Sequence, residues 1–176
     1  NAHPYQKLPV IKKYINGNTL ENLKWGLVPS WSKKKDFKAL INARLETIDE
    51  KISFKKLIKL HRCVAVADGF YEWKREEKNK TPYYFIREDK KNMYMAGIYE
   101  NNEFCLITEN ASENVKAIHH RQPVILNESD INKYLNLELS GSSFLKECKK
   151  TKLNFYEVSK EVNKPTNNSI SLIQKL

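Results

Sequence analysis

Three short segments carry side chains of the kinds that move protons or hold phosphates: Asp68-Gly69-Phe70-Tyr71-Glu72-Trp73-Lys74, Ile118-His119-His120-Arg121-Gln122-Pro123-Val124 and Ile41-Asn42-Ala43-Arg44-Leu45-Glu46-Thr47. In the first, Glu72 stands among bulky rings just after a turn pair. Strand alternation sets Phe70, Glu72 and Lys74 on one face and Tyr71 and Trp73 on the other. A carboxylate so placed is partly desolvated. Desolvation disfavours its charged form and raises its pKa toward the range useful for proton transfer near neutrality. As an ordinary surface group, the same residue would pair with Lys74 or Arg75.

His119 and His120 are adjacent, so their side chains are expected to point in different directions, which argues against both holding one metal. One is expected inward and functional and the other exposed, although a lone histidine is as readily a hydrogen-bonded structural residue. Arg121 can hold a phosphate or pair with an acid such as Glu46. Asn42 and Arg44 share one side of an extended segment. The amide can satisfy a buried backbone group or orient a substrate, and the guanidinium can reach a phosphate. Trp25 and Trp31 flank Gly26-Leu27-Val28-Pro29-Ser30. Rings beside lysines suit single-stranded nucleic acid, where bases stack and cations track the backbone. Trp31, next to Lys33-Lys34-Lys35, fits this better than Trp25, which reads more readily as core. Cys63 and Cys105 alternate inside apolar strands and read as small core residues.

Pattern and turn chemistry supply the elements that must position these groups. Residues 9–15 and 19–28 read as strands joined through Asn16-Gly17-Asn18, a hairpin. Residues 29–38 form a loop. Residues 49–61, with acids first and bases last, suit a helix. Residues 62–67 read as a strand, Asp68-Gly69 as a hairpin turn, and 70–75 as the returning strand. Strands follow over 82–87, 93–99 and 103–108. A short helix is expected over 112–119, a strand over 124–126, and a helix capped by Ser129 with Ile131, Tyr134 and Leu135 on its apolar face. A helix over 142–149 and a strand over 154–158 close the chain. A strand-rich middle with helices set around it is an α+β architecture rather than alternating β-α units.

The 176 residues are 40% hydrophobic and 11% aromatic, enough for one folded domain with a buried core. No apolar run is long enough for a membrane span, and the amino terminus is not a signal peptide. Three cysteines at 63, 105 and 148 give neither a disulfide framework nor zinc spacing, so a reducing, cytoplasmic setting without metal or cofactor is expected. The net charge is +10, with basic clusters at Lys33-Lys34-Lys35, at Lys55-Lys56 with Lys59 and Arg62, and at Lys149-Lys150 with Lys152. Such an excess attracts polyanions, and it also occurs as plain lysine solvation of a surface.

Taken in order, Trp25-Gly26-Leu27-Val28-Pro29-Ser30-Trp31, the Asn42 segment, Arg62-Cys63 with Ala67 through Lys74, Thr108, the His119 segment continued by Ile125-Leu126, and Val158-Ser159 with Val162-Asn163 resemble the SOS-response-associated peptidase (SRAP) family along essentially the whole chain. The resemblance implies a mostly antiparallel, barrel-like curved sheet with surrounding short helices. It also implies a protein that attaches covalently to abasic sites in single-stranded DNA, acting as a monomer. The family's nucleophile is a cysteine exposed by self-removal of the initiator methionine. Its amine condenses with the sugar aldehyde and its thiol closes a thiazolidine. By resemblance Asn42, Glu72 and His119 are catalytic, and Arg44, Arg121, Trp25, Trp31 and Thr108 contact DNA. Strand-cleaving lyase activity is a further implication. Asn1-Ala2-His3-Pro4 resembles the family's internal Asn-x-x-Pro segment, so the resemblance implies that these 176 residues lack a leader holding the cysteine. Two other readings are a noncovalent single-strand-binding module and a hydrolase using Cys63 or Cys105 with His119.

Overall fold

The computed structural model describes residues 1–32, 36–77 and 79–176. The lysine triplet at 33–35 therefore lies outside the described residues. Strand β1 (Lys7–Tyr14) turns at Ile15-Asn16 into β2 (Gly17–Trp25), the expected hairpin, with Gly17 at φ +123° where a side chain would be strained. The other strands of the larger sheet are β3 (Asn42–Arg44), β4 (Arg62–Ala67), β7 (Met93–Glu100), β8 (Glu103–Asn110), β9 (Arg121–Pro123) and β10 (Ile125–Leu126). Its hydrogen bonds run β7-β4-β1-β2-β8 and return to β7, so the curved sheet closes a ring. Most pairs are antiparallel, whereas β2 and β3 each lie parallel to β8. A second sheet joins β5 (Phe70–Glu76), β6 (Asn79–Arg87) and β11 (Leu153–Glu157). The α+β class and curved sheet expected from the sequence are what the chain adopts.

Alternation along the strands divides the interior into two layers. Val64, Ala96, Ile98, Cys105 and Ile107 face one apolar cluster. Val10, Cys63, Ala65, Met95 and Phe104 face the other. The first cluster is covered by α1 (Leu57–Leu60), α3 (Ile131–Leu135) and α4 (Gly141–Glu147). Arg62, 4% exposed, fastens this cover. Its guanidinium donates to the carbonyl oxygens of Ile58 (2.6 Å), Tyr134 (2.9 Å), Asn136 (3.0 Å) and Leu139 (2.6 Å). The remaining helix, α2 (Glu113–Lys116), runs into the His119 segment.

Three local expectations differ from what forms. The helix expected over 49–61 is α-helical only across α1, because its apolar stripe is short and a helix is held mainly by such a stripe. Ile48 and Phe54 reach the core from turns, and Ile52 is 66% exposed. Ser129 does not cap α3 with its side chain. The chain enters through a 3-10 turn at Glu128–Asp130. Asp68-Gly69 makes no hairpin either: β4 stays in the ring while β5 pairs with β6, so the dipeptide carries the chain between sheets.

Gly69 is required there by space. A Cβ would lie 2.3 Å from the Phe85 carbonyl oxygen and 2.6 Å from the Tyr84 ring. Beyond it, Phe70 stacks on Phe85 at 4.8 Å between centroids, and Tyr71 and Trp73 pack against Val158, Val162 and Leu172 on the opposite face. The crossing thus fixes which face Glu72 presents. Gly69→Ala is expected to cost about 3 kcal/mol by overpacking, read as a lowered urea midpoint. A midpoint equal to wild type would show that this crossing has room to relax.

Candidate active site

Glu72 and His119 come together. Glu72 is the third residue of β5, and its Oε1 lies 3.6 Å from His119 Nδ1, with both side chains about one-third exposed or less. Glu72 takes no salt bridge from Lys74, which pairs with Glu76 instead. Burial pushes the Glu72 carboxyl above its ordinary range, and the neighbouring His119 imidazole opposes part of that rise. The desolvation that the ring-rich sequence predicted is therefore the larger influence.

His119 is held by its own chain. Nδ1 lies 3.0 Å from the Arg121 carbonyl oxygen and 3.2 Å from the Arg121 backbone nitrogen. A protonated Nδ1 donates to that carbonyl and faces Glu72, whereas a bare Nδ1 accepts the backbone N–H. Either way Nε2 is left for other partners. His119 is half-buried and His120 exposed, as expected of the pair, but the His120 ring does not point away from its neighbour. It packs beside His119 with centroids 4.6 Å apart, because the chain leaves α2 before the pair and no helix separates the two side chains.

Arg121 takes the pairing with Glu46, one of its two expected roles. Nη1 and Nη2 donate to the two carboxylate oxygens at 2.8 and 2.9 Å, Nη1 also to Asn110 Oδ1 at 2.7 Å, and Nη2 to the Thr108 carbonyl at 2.8 Å. Thr108 Oγ1 lies 3.3 Å from Nη2, and Thr108 itself is buried. This bidentate clamp ties β9 to the turn after β3 and so fixes the segment bearing His119. Among the described residues, Arg121 Nε is buried without a partner.

Asn42 and Arg44 occupy the two exposed positions of β3, with Ala43 between them in the core. Their partners on β8 are Leu106 and Thr108. Leu106, Phe70 beside Glu72 on β5, and Ile118 before His119 all pack against one apolar cluster. Asn42 lies on β3, across β8 from β9, the strand that follows His119, and among the described residues no hydrogen bond joins it to Glu72 or His119. Trp25 packs there too, and its indole N–H donates to the Ile41 carbonyl at 2.9 Å, next to Asn42. Trp31 is 51% exposed and meets Phe37 edge-on.

What holds the Trp31 loop lies far from it along the chain. Glu103 accepts from the Val28 backbone and from Lys24, and Glu100 accepts from both the backbone and the hydroxyl of Ser30. These contacts bridge some 70 residues, so no local pattern announces them. Cys63 and Cys105 are fully buried, and burial pushes both thiols up, away from the reactive thiolate. That removes the physical basis of the hydrolase reading. Among the described residues no group of acids, histidines and cysteines has the arrangement of a metal site, and no helix is long and apolar enough to cross a membrane.

A curved sheet whose strands close a ring, beside a second sheet of three strands, is an architecture that known proteins share. The profile of the family described as SOS response associated peptidase (SRAP) matches residues 1–165. The chain is 35% identical over 189 aligned residues to the abasic site processing protein YoqW of Bacillus subtilis, an alignment spanning 99% of this chain and 84% of that protein. A second B. subtilis relative, the abasic site processing protein YoaM, is 35% identical over 98% of this chain and 83% of its own. A crystal structure of a Bacteroides thetaiotaomicron protein superposes with a TM-score of 0.84 at 27% identity, covering 98% of this chain and 82% of that one. The chain belongs to the SRAP family.

The clamp has a pH signature. Hydrogen bonding from Arg121 lowers the Glu46 carboxyl to about 2. A depressed carboxyl contributes stability that is present above its ordinary value of 4.5 and is lost as pH falls toward about 2. Between about pH 6 and about pH 3, the wild-type urea midpoint should therefore fall further than that of Glu46→Gln. Parallel losses would mean that the clamp is not linked to folding.

Proposed function

We propose that this protein recognises abasic sites in single-stranded DNA and becomes covalently joined to them, with Glu72 and His119 carrying the proton transfers. The half-buried Glu72 carboxyl facing His119 at 3.6 Å carries this reading. Its supports are the family membership and the relatives named abasic site processing proteins.

The chemistry needs an acid at neutral pH. An amino-terminal cysteine attacks the aldehyde carbon of the opened sugar through its amine, giving a carbinolamine. Glu72, its protonated form favoured by burial, donates a proton to the hydroxyl, which departs as water, and the nitrogen gives its own proton to His119, leaving a neutral imine. The thiol then adds to the imine carbon, its proton passes to the nitrogen, and a thiazolidine closes. One water is released overall. His119 returns the proton to Glu72 and takes it up at other steps, including self-removal of the initiator methionine and strand cleavage through the same imine. Asn42 orients the sugar or the amino-terminal residue.

Arg44, exposed on β3, contacts phosphate directly. Arg121, already saturated by Glu46 at two positions, acts on DNA by holding His119 and Thr108 in place, and it meets a phosphate only where Glu46 yields. Trp31 offers a face for stacking, and Trp25 shapes the floor beside Asn42. The charge of +10 draws the strand in and makes affinity salt-dependent.

The test uses the native protein with its own amino terminus and an oligonucleotide carrying one abasic site. A heat-resistant band on a denaturing gel is expected, and Glu72→Gln should slow its appearance about a hundredfold with affinity for the strand unchanged. Equal rates would remove Glu72 from the chemistry. Binding without any band in the wild type would leave a noncovalent single-strand-binding module as the function.

A further inference from the structure

Lys59 and Arg62, from the basic cluster that also holds Lys55 and Lys56, have no part in the site above. They line a cleft of about 320 Å³ between the end of α1 and the loop joining α3 to α4. Leu60, Leu137 and Leu139 line this cleft and are 49, 48 and 46% exposed. Isolated exposed leucines are ordinary, but three around one cleft form an apolar surface awaiting cover.

At the floor lies Arg62. Four of its five N–H groups go to carbonyl oxygens, leaving one on Nη2, and no carboxylate pairs with it among the described residues. Carbonyl dipoles hold a guanidinium without neutralising it. Of the acids on the rim, Asp49 is engaged by Ser142 at 2.9 Å and Lys146 at 3.8 Å, and Glu138 is exposed. Lys59 and Arg62 are the basic residues that line the cleft. The cleft is therefore apolar at its lips and cationic along one wall.

We infer that this cleft docks a short peptide of a partner protein in which a carboxylate adjoins a bulky apolar side chain. The apolar group fills the space between the leucines, and the carboxylate faces the remaining Arg62 N–H and Lys59. Net charge opposes a second copy of this chain as the occupant, since each copy carries +10. Single-stranded nucleic acid stacks on aromatic rings, and none lines the cleft. The cleft sits over the helix-covered cluster, whereas Glu72 and His119 border the other one. Peptide and DNA can thus be held together, and the protein can be brought to a strand by whatever bears the peptide.

Fluorescence anisotropy with a labelled acidic hexapeptide ending in leucine–phenylalanine tests this on the full protein. Saturable binding is expected, weakened about tenfold by Leu60→Ser with Leu139→Ser, both exposed positions and both changes without charge, and similarly when the peptide acids are replaced by amides. The variant should keep the wild-type unfolding midpoint and its affinity for an undamaged oligonucleotide. No anisotropy change up to about 1 mM peptide would overturn the proposal, as would equal binding by the double variant. Displacement of the peptide by the oligonucleotide would assign the cleft to nucleic acid and overturn it equally.

Discussion

Strand β8 is hydrogen-bonded along both edges, and the rest of the molecule is arranged by that fact. Antiparallel β7 and then β9 take one edge, and parallel β2 and then β3 take the other. The four neighbours bring Trp25, Asn42, Arg44 and the segment bearing His119 and Arg121 to one strand. A shift of β8 by one residue would reverse every side chain relative to both apolar layers, so the register is fixed by the core and the site inherits that precision. Phe104 and Cys105, fully buried on opposite faces, are the residues that enforce it.

Electrostatics at the rim follow from unequal solvation. Glu46, more open to water, is held ionised by two guanidinium contacts and spends its charge on fixing β9. Glu72, more enclosed, meets a single imidazole at a distance longer than a direct hydrogen bond, so its charge is poorly compensated and its proton is retained more readily. Two carboxylates within one small region thereby have separate tasks. One is structural and stays charged near neutral pH, and the other is available for exchange.

Much of this was legible along the chain. Alternation alone placed Phe70 and Glu72 opposite Tyr71 and Trp73, and the apolar surroundings of Cys63 and Cys105 marked them as core. What escaped has a common cause. The Glu100 and Glu103 anchors of the Trp31 loop, the closure of β2 on β8, and the change of sheet at Gly69 all depend on contacts remote in sequence. Asp68-Gly69 has the chemistry of a tight turn, and only the carbonyl of Phe85 pressed against Gly69 makes it a crossing. Adjacency likewise misjudged His119 and His120, whose rings meet because the backbone there is no longer helical.

The parallel join between β2 and β8 also governs how the chain must assemble. Trp25 meets Phe104 across nearly eighty residues, so the ring cannot close until well over half of the polypeptide is available. Until then β2 and β7 present bare edges, rich in unmet amide and carbonyl groups, of the sort that invite pairing with other chains. Non-local closure of this kind is slow, because loop entropy is lost before the contacts form. Bare edges on an incomplete ring are therefore the stage at which this chain is open to aggregation, until β8 covers them.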